Sequence, residues 1–247
     1  MNKYTKYLSE ILAAVPCGEL RLPRCACESC GRTTRFLISG PESRSIRCLG
    51  CRSTAISLAT VSEIRRLPLD PASSAVYELS YHGAVFRHLQ SRFADFTFSE
   101  YFGPPAGGQP VNGVRNEDVQ QLSFPDCRFD LVSSTEVFEH VPDYLRGFRE
   151  IARVLKPGGW FVFTVPFFDD PVTRQICRVG PSGLAWISEP EYHDSQVSGV
   201  GTVPVFWHHS KRQILDDLRA AGFSEARLSE TSAFTPRVPQ HVVVARR

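Results

Sequence analysis

The feature that most constrains the fold is an alternation of strand-like and helix-like segments that begins near Ala75 and continues to the end of the chain. Short β-rich segments are separated by amphipathic stretches, which is the rhythm of a doubly wound α/β sheet. The predicted helices are 84–92, 142–155 and 211–221. Seven strands are predicted, the last two forming an edge hairpin: 75–80, 94–100, 111–115, 129–134, 160–165, 225–228 and 241–245.

The clearest part of this pattern is the helix that Pro142 opens and the strand after it. Apolar residues recur at three- and four-residue steps, so one face of the helix packs on the sheet. Gly158 and Gly159 then force a turn, and the continuous apolar run 160–165 is typical of a strand covered on both faces. The apolar positions of the helix are Leu145, Phe148, Ile151, Ala152 and Leu155.

Four cysteines near the N-terminus form two Cys-x2-Cys pairs separated by seventeen residues. This spacing is typical of a four-thiolate zinc ribbon, whose closed coordination sphere makes the ion structural. The segments 33–39 and 45–47 read as a hairpin with one pair at each end. Cys25 offers an alternative to the first ligand, although the Cys-x2-Cys-Gly form favours Cys27. The predicted ligands are Cys27, Cys30, Cys48 and Cys51.

Composition supports a soluble globular protein, because 42% of the 247 residues are hydrophobic and 22% are charged. The sequence has neither a run of about 18 apolar residues nor a convincing signal peptide, so we expect a cytoplasmic protein without a membrane segment. Residues 1–66 carry eleven Lys and Arg against five acids, a balance of +6, and four bound thiolates would reduce it. Nucleic-acid binding is permitted by this charge but not indicated.

Three segments in fixed order carry a resemblance to a known family. They are Leu-Ser-Phe-Pro-Asp-Cys-Arg-Phe-Asp-Leu-Val at 122–132, Ser-Thr-Glu-Val-Phe-Glu-His-Val-Pro at 134–142, and the helix–turn–strand unit 149–164. The chain resembles class I S-adenosylmethionine (SAM) methyltransferases, specifically the methyltransferase type 11 group. The resemblance covers about 70–247 and implies a Rossmann-like fold of seven strands. We therefore divide the chain into an N-terminal helix and zinc-ribbon-like module, 1–66, and a methyltransferase domain, 67–247.

The resemblance also implies which residues contact the cofactor. The loop after the first strand takes the amino-acid part of SAM, an acid ending the second strand holds the ribose hydroxyls, and an acid after the third faces the adenine amino group. Residues after the fourth strand form the floor of the site. The alternative for the acids is an ordinary solvated loop position. The implied contacts are Glu78, Ser80, Gly83, Glu100, Tyr101, Asp118, Val119, Ser134 and Thr135.

The cofactor loop departs from the family pattern of three spaced glycines, which let the backbone approach the cofactor. Here Ser80 and His82 replace two of them, and Gly83 remains. Two alternatives follow. Either the loop takes a wider path and SAM is retained, or the cofactor site is weakened or lost.

The segment 166–204 is a loop-rich insertion after the fifth strand, where members of the family bind the methyl acceptor, and we expect it to act as a lid. Its densest polar cluster surrounds His193, the predicted general base for removing the acceptor's proton. His140 is the second candidate, with a structural role as its alternative. His208 and His209 read as a surface pair, and His82 as a possible cofactor or substrate contact.

The leading hypothesis is a SAM-dependent methyltransferase acting on O or N of a small polar metabolite, such as a sugar or a natural-product intermediate. One alternative is an RNA methyltransferase whose zinc module grips phosphates. Another is a scaffold that has lost SAM and uses its surfaces for protein contacts. The sequence leaves the oligomeric state open.

Overall fold

The structure, a computed structural model, describes residues 20–40, 45–195, 198–231 and 239–247. The predicted N-terminal helix lies outside these residues. In chain order the elements are β1 (Arg24–Ala26), β2 (Thr33–Ile38), β3 (Ile46–Cys48), α1 (Ala55–Arg66), β4 (Ala75–Glu78), α2 (Gly83–Arg92), β5 (Asp95–Phe98), β6 (Pro110–Val111), β7 (Val114–Arg115), β8 (Phe129–Thr135), a 3-10 turn (Phe138–His140), α3 (Tyr144–Val154), β9 (Leu155–Thr164), β10 (Phe167–Phe168), β11 (Arg174–Gln175), β12 (Cys177–Gly180), β13 (Gly183–Trp186), β14 (Tyr192–Ser195), β15 (Gly199–Pro204), β16 (Trp207–Ser210), α4 (Gln213–Ala220), β17 (Glu225–Thr231) and β18 (Gln240–Arg246).

The main sheet has the strand order β17-β18-β9-β8-β4-β5. Strands β5, β4, β8 and β9 are parallel, while β18 is antiparallel to β9 and β17 is antiparallel to β18. The predicted parallel core and the edge hairpin are therefore confirmed. The carboxyl ends of the four parallel strands meet at one edge, where ligands of doubly wound sheets bind.

The prediction of seven strands in this sheet is wrong for the described residues, which contribute six. The predicted third strand, 111–115, instead folds back on itself as the separate hairpin β6–β7. Asn112 and Gly113 both have positive φ, +50° and +79°, which suits a two-residue turn between antiparallel strands. Beyond β5, the described residues add one further parallel pairing, a single bridge between Glu100 and Asn116.

Helices cover both faces of the sheet, as predicted. On one face, α1 and α2 pack against alternate residues of the central strands, including Val76 and Leu131. On the other, α3 and α4 pack against their neighbours Tyr77 and Val132. The predicted helix 142–155 is slightly shorter, since Leu155 already begins β9. Asp143 caps the start of α3 by accepting a hydrogen bond from the Arg146 amide.

The insertion 166–204 is richer in β-structure than predicted. Two hairpins, β12–β13 and β14–β15, occupy most of it, and β10 and β11 pair with β16. The strands are short because glycines with positive φ, Gly183 at +109° and Gly199 at +114°, interrupt them. The expectation of an irregular loop failed because the turn residues that suggested it separate strands of only two to six residues.

The N-terminal part folds as a three-stranded antiparallel sheet, β1-β2-β3, and the predicted hairpin with a cysteine pair at each end is confirmed. Phe36 and Ile46 fill its core together with Ala55 and Leu58 of α1. The other face of α1 packs on the main sheet. This helix lies before the predicted domain boundary at 66, and it contacts both parts of the protein. None of the helices in the described part of the chain is long and apolar enough to span a membrane.

Candidate active site

One buried and one partly buried carboxylate, Glu78 and Glu100, lie at the carboxyl edge of the main sheet. Glu78 ends β4 and is only 1% exposed, and its carboxylate accepts a hydrogen bond from the Ser133 hydroxyl of β8. Burial raises the pKa of Glu78 to about 8, against the effect of that hydrogen bond, and the charge of Glu100 raises it further. Burial likewise raises the pKa of Glu100 to about 7. Both groups therefore titrate close to neutral pH.

The predicted ribose and adenine contacts lie beside these carboxylates. Glu100 accepts a hydrogen bond from the Tyr101 amide at 3.0 Å, and its bridge to Asn116 brings the next segment alongside. Asp118 accepts hydrogen bonds from the Gln120 amide at 2.8 Å and from its side chain at 3.0 Å. Burial and the charge of Asp118 both raise the pKa of Tyr101. The structure thus brings Glu78, Glu100, Tyr101 and Asp118 to one region.

The loop from Glu78 to Gly83 turns toward Glu100. The Nδ1 atom of His82 lies 3.8 Å from Glu100 Oε2 and 3.3 Å from the Ser80 hydroxyl. Gly83 starts α2 with φ +92°, and a Cβ atom there would meet nothing within 4 Å. The space in front of the N-terminus of α2 is therefore open, although two of the glycines of the family pattern are absent. The imidazole of His82 lies next to Glu100, the acid predicted to bind the ribose.

Ser134 and Thr135 of the predicted floor lie at the end of β8, next to Thr164 at the end of β9, which the sequence did not indicate as a site residue. Thr135 and Thr164 are neighbours across the two strands, and Ser134 precedes Thr135. The Oγ atoms of all three are buried and make no hydrogen bond with the described residues. Such orphaned groups are costly unless a ligand or water satisfies them, so their position fits a polar ligand at this edge. Val119, by contrast, packs in the main core.

A cluster of imidazole and carboxylate groups lies just after β8, next to the predicted floor. The 3-10 turn after β8 supplies Glu139 and His140, and β14 of the insertion supplies His193. His193 Nδ1 is 3.1 Å from His140 Nε2, so the structure brings the two predicted bases together. Glu139 Oε1 lies 3.6 Å from His140 Nε2 and 3.8 Å from His193 Nδ1.

Hydrogen bonds outside this cluster orient its rings. The Nδ1 atom of His140 donates to the Pro204 carbonyl at 2.8 Å, which leaves Nε2 as the lone-pair nitrogen of the neutral ring. Burial lowers the pKa of His140 to about 4. Glu191 links two rings, with one oxygen 2.6 Å from His208 Nε2 and the other 3.6 Å from His193 Nε2.

The interpretation of His208 and His209 as a surface pair is wrong. His209 is fully buried, and burial lowers its pKa to about 4. His208 stacks on Phe168 with ring centroids 3.7 Å apart. Both lie on β16, which pairs with β10 and β11 and is thereby drawn into the interior.

Sequence reasoning placed Glu191 beside His193 and read His208 as a surface residue, and it missed Glu139 as a member of this cluster. Glu139 precedes a candidate base directly, and Glu191 lies two residues before the other, so carboxylate neighbours were the available signal. Nothing in the sequence indicates that β14 folds over the turn containing Glu139. That contact depends on backbone hydrogen bonds, including one from the Phe206 amide to the Glu139 carbonyl at 2.8 Å.

The four predicted zinc ligands form a second cluster. One ligand atom from each of Cys27, Cys30, Cys48 and Cys51 lies within 4.8 Å of all the others, and Cys25 is not among them. The Sγ atoms of Cys27 and Cys51 are 3.7 Å apart. A tetrahedral ion with Zn–S bonds of about 2.3 Å requires S–S separations of about 3.8 Å. The donor set and its spacing fit zinc.

The turns that carry these cysteines are fixed to the larger part of the protein by side chains of α1 and α2. His88 Nδ1 is 2.9 Å from the Ser29 carbonyl, and Arg87 donates to the Cys51 carbonyl at 2.7 Å. Arg65 donates to the Glu28 carbonyl at 2.9 Å. All three acceptors belong to residues of the two cysteine turns, so the module docks through the end that carries the cysteines.

Comparison with known proteins agrees with this geometry. Residues 82–163 match the family described as "Methyltransferase domain". The match covers 82 of the 247 residues, about a third of the chain. It runs from the start of α2 to the end of β9 and includes the turn with Glu139 and His140.

Curated relatives of the chain are named as enzymes that methylate different atoms. The chain is 34% identical over 128 residues, 52% of its length and 38% of the relative's, to a sarcosine/dimethylglycine N-methyltransferase from Halorhodospira halochloris. It is 32% identical over 81 residues, 30% of each chain, to 27-O-demethylrifamycin SV methyltransferase from Amycolatopsis mediterranei. It is 50% identical over 69 residues, 26% of its length and 18% of the relative's, to a sterol 24-C-methyltransferase from Aspergillus fumigatus. The matches thus span less than half of each relative.

A solved structure shows that the fold is that of these enzymes. A SAM-dependent methyltransferase from Mesorhizobium loti superimposes with a TM-score of 0.51 at 21% sequence identity, covering 76% of this chain and 98% of that one. The Rossmann-like fold implied by the sequence is thereby confirmed.

Proposed function

We propose that the protein is a SAM-dependent methyltransferase that methylates O or N of a small polar metabolite, such as a sugar or a natural-product intermediate. The observation that carries the proposal is the juxtaposition of two groups at one sheet edge. One is the predicted cofactor set around Glu78 and Glu100, and the other is the His140–His193 pair, 3.1 Å apart. A methyltransferase needs a cofactor site and a polar acceptor site side by side.

The residues on the cofactor side fit the group that the family implies. The Glu100 carboxylate offers two acceptor oxygens for the ribose hydroxyls, and Asp118 faces the predicted adenine position. The open space at Gly83 and the orphaned hydroxyls of Ser134 and Thr135 fit the remaining polar parts of SAM. When bound, SAM supplies an electrophilic methyl group, and the chain's task is to align the acceptor behind it.

The acceptor side would position and deprotonate the nucleophile. His193, the predicted base, is 24% exposed and lies on a hairpin of the insertion, so a ligand can reach it. The carboxylate of Glu191 lies 3.6 Å from its far nitrogen, close enough to attract a protonated ring. His140, held by the Pro204 carbonyl, keeps its lone pair directed at the same place.

We also propose that Cys27, Cys30, Cys48 and Cys51 bind a structural Zn²⁺ ion. Four thiolates leave no coordination position for substrate, so the ion has no part in methyl transfer. Its role is to fix the turns that α1 and α2 contact.

The test is calorimetric titration of the full chain with SAM and with S-adenosylhomocysteine. We expect binding of one molecule per chain, followed by release of S-adenosylhomocysteine when a panel of amino and hydroxylated sugars is added with SAM. A folded, zinc-loaded protein that binds neither nucleoside would overturn the proposal and favour the scaffold alternative. Salt-dependent binding of an RNA oligonucleotide instead of sugars would favour the RNA alternative.

A further inference from the structure

We propose that Glu139, His140 and His193 form a second metal site, for a divalent first-row transition ion such as Zn²⁺, on the acceptor side of the predicted cofactor site. The metal site stands on its own geometry. The part that the ion plays in methyl transfer rests on the proposed function.

The first argument is the spacing of the three ligand atoms. The separations are 3.1 Å between His140 Nε2 and His193 Nδ1, and 3.6 and 3.8 Å from these atoms to Glu139 Oε1. Ligands about 2.0–2.2 Å from a tetrahedral ion lie about 3.3–3.6 Å apart, so this triangle is close to one face of such a polyhedron. The two distances to Glu139 exceed the 2.7–3.2 Å range of ordinary hydrogen bonds.

The second argument is the set of groups behind the ligands. A histidine that binds a metal generally donates its other N–H group to a carbonyl or a carboxylate. His140 does so to the Pro204 carbonyl at 2.8 Å, and His193 Nε2 faces Glu191 Oε1 at 3.6 Å. Glu191 is itself held by His208 at 2.6 Å. His140 is therefore oriented by a hydrogen bond, whereas His193 Nε2 lies near the Glu191 carboxylate but beyond hydrogen-bond distance of it.

The tautomers of the two rings are compatible with an ion. With its Nδ1 proton on the Pro204 carbonyl, neutral His140 presents a lone pair at Nε2. His193 Nδ1 lies 3.1 Å from that atom, so with its proton on Nδ1 the neutral His193 ring would donate a hydrogen bond to His140. With its proton on Nε2, His193 would direct a second lone pair at the same place, where a metal ion could accept both. The position of Glu139 Oε1, 3.6 and 3.8 Å from the two nitrogens, is what points to the second arrangement.

Two histidines and one glutamate leave a tetrahedral position open, as in catalytic zinc sites and unlike the four-cysteine cluster. An ion there would bind a hydroxyl oxygen of the acceptor and lower the pKa of that hydroxyl. The proton leaves to solvent and the lone pair forms the new bond to the methyl carbon as the carbon–sulfur bond breaks. In this arrangement the ion takes over the activation assigned above to His193 as a free base.

The test is metal binding by the full chain. Metal-free protein is titrated with Zn²⁺ and, separately, with Co²⁺, and bound metal is counted by elemental analysis. We expect two ions per chain. One Co²⁺ ion shows the thiolate-to-metal charge-transfer bands of the cysteine cluster, and the other shows only the weaker bands of an N/O site.

The deciding variant is His193→Ala, which lies on an exposed hairpin and is expected to fold. It should lose one ion per chain, the one without charge-transfer bands. Glu139→Gln keeps the shape of the buried side chain and should weaken that ion's affinity at least tenfold, and Glu191→Gln should weaken it about 10–100-fold through His193. His241→Ala, a histidine paired with Glu230 away from the cluster, is the matched control and should retain two ions.

The proposal is overturned if wild-type protein binds only the ion at the cysteines, or if His193→Ala binds as many ions as wild type with the same spectrum. S-adenosylhomocysteine binding is measured on the same samples. Nucleoside binding without the second ion would refute the metal site alone. The second ion without nucleoside binding would refute the methyltransferase proposal and leave the metal site standing.

Discussion

At the scale of single residues, the predicted cofactor side of the site places two carboxylates where water is largely excluded. Glu78 is almost fully buried and Glu100 is 17% exposed, and burial raises the pKa of both toward neutrality. Ionisation of a buried carboxylate lowers the free energy of unfolding, and this loss can be measured as a function of pH.

We expect Glu78→Gln to stabilise the protein at pH 8 and to have little effect at pH 5. Because the folded-state pKa of Glu78, about 8, lies above its ordinary value of 4.5, its contribution to stability is present at acidic pH and is lost as pH rises through 8. The gain at pH 8 should be on the order of 1 kcal/mol or more, or roughly 2–4 °C in Tm. Thermal unfolding at both pH values tests this, with the exposed Glu189→Gln as control. A gain in Tm that is the same at both pH values would contradict it.

Glu100 leads to a second prediction, about binding. If its ionised carboxylate accepts hydrogen bonds from the ribose, affinity for S-adenosylhomocysteine should rise as pH increases through about 7, where Glu100 loses its proton. Glu100→Gln should bind about 10–100-fold more weakly at pH 8, in line with about 1.5–3 kcal/mol for hydrogen bonds to a charged group. Calorimetry between pH 6 and pH 8 measures both effects. A wild-type affinity that falls with pH would exclude this role.

At the scale of elements, two segments make long-range contacts that their own sequences do not indicate. The insertion brings β14 onto the turn after β8 and thereby assembles the histidine and glutamate cluster. Helix α1 connects the small sheet to the main one. Its buried Glu63 pairs with Arg66 on the same helix and reaches across to β17, where it accepts hydrogen bonds from Arg227 at 2.7 Å and Ser229 at 2.9 Å.

We expect Glu63→Ala to destabilise the protein by about 2–4 kcal/mol, because it leaves partly buried donors on β17 without their acceptor. Urea unfolding at pH 7 measures the change. Arg66→Ala is the matched control, since the Arg66 side chain is 66% exposed and its removal leaves the contacts to β17 intact. We expect that variant to lose less than about 1 kcal/mol. Equal effects of the two changes would contradict a linking role for Glu63.

At the scale of the whole molecule, the cysteine module and the main sheet depend on each other. The cysteine turns offer their carbonyl groups to Arg65, Arg87 and His88, and the core of the module includes Leu58 of α1. Because α1 and α2 together cover one face of the main sheet, we expect disorder in the cysteine turns to weaken the packing of both helices on that face.

We therefore expect Cys48→Ser to abolish zinc binding at the cysteine cluster and to lower the stability of the entire chain in one cooperative transition. A structural zinc ion contributes folding energy directly, so a drop in Tm of roughly 5–10 °C or more is expected. Cys127→Ser is the control, because Cys127 is exposed and lies outside the cluster. Calorimetric unfolding that separates into two transitions, with the main one unchanged, would show that the module is energetically independent.

The sequence by itself determined the local elements and the chemistry that follows from spacing. The stripe of apolar residues from Leu145 to Ile151 determines α3, and two Cys-x2-Cys pairs determine a thiolate cluster, because helical periodicity and tight turns involve neighbours in the chain. The Asn112-Gly113 turn was also present in the sequence, although the strand interpretation overlooked it.

Contacts between groups that are distant in the chain depend on the tertiary structure. His140 and His193 are separated by 53 residues, and their 3.1 Å approach depends on how the β14–β15 hairpin returns over the sheet edge. The burial of Glu78 and His209, which changes their pKa values, likewise depends on strands and helices packed around them. Such long-range packing depends on the whole core, so the pattern of neighbouring residues in the chain does not predict it.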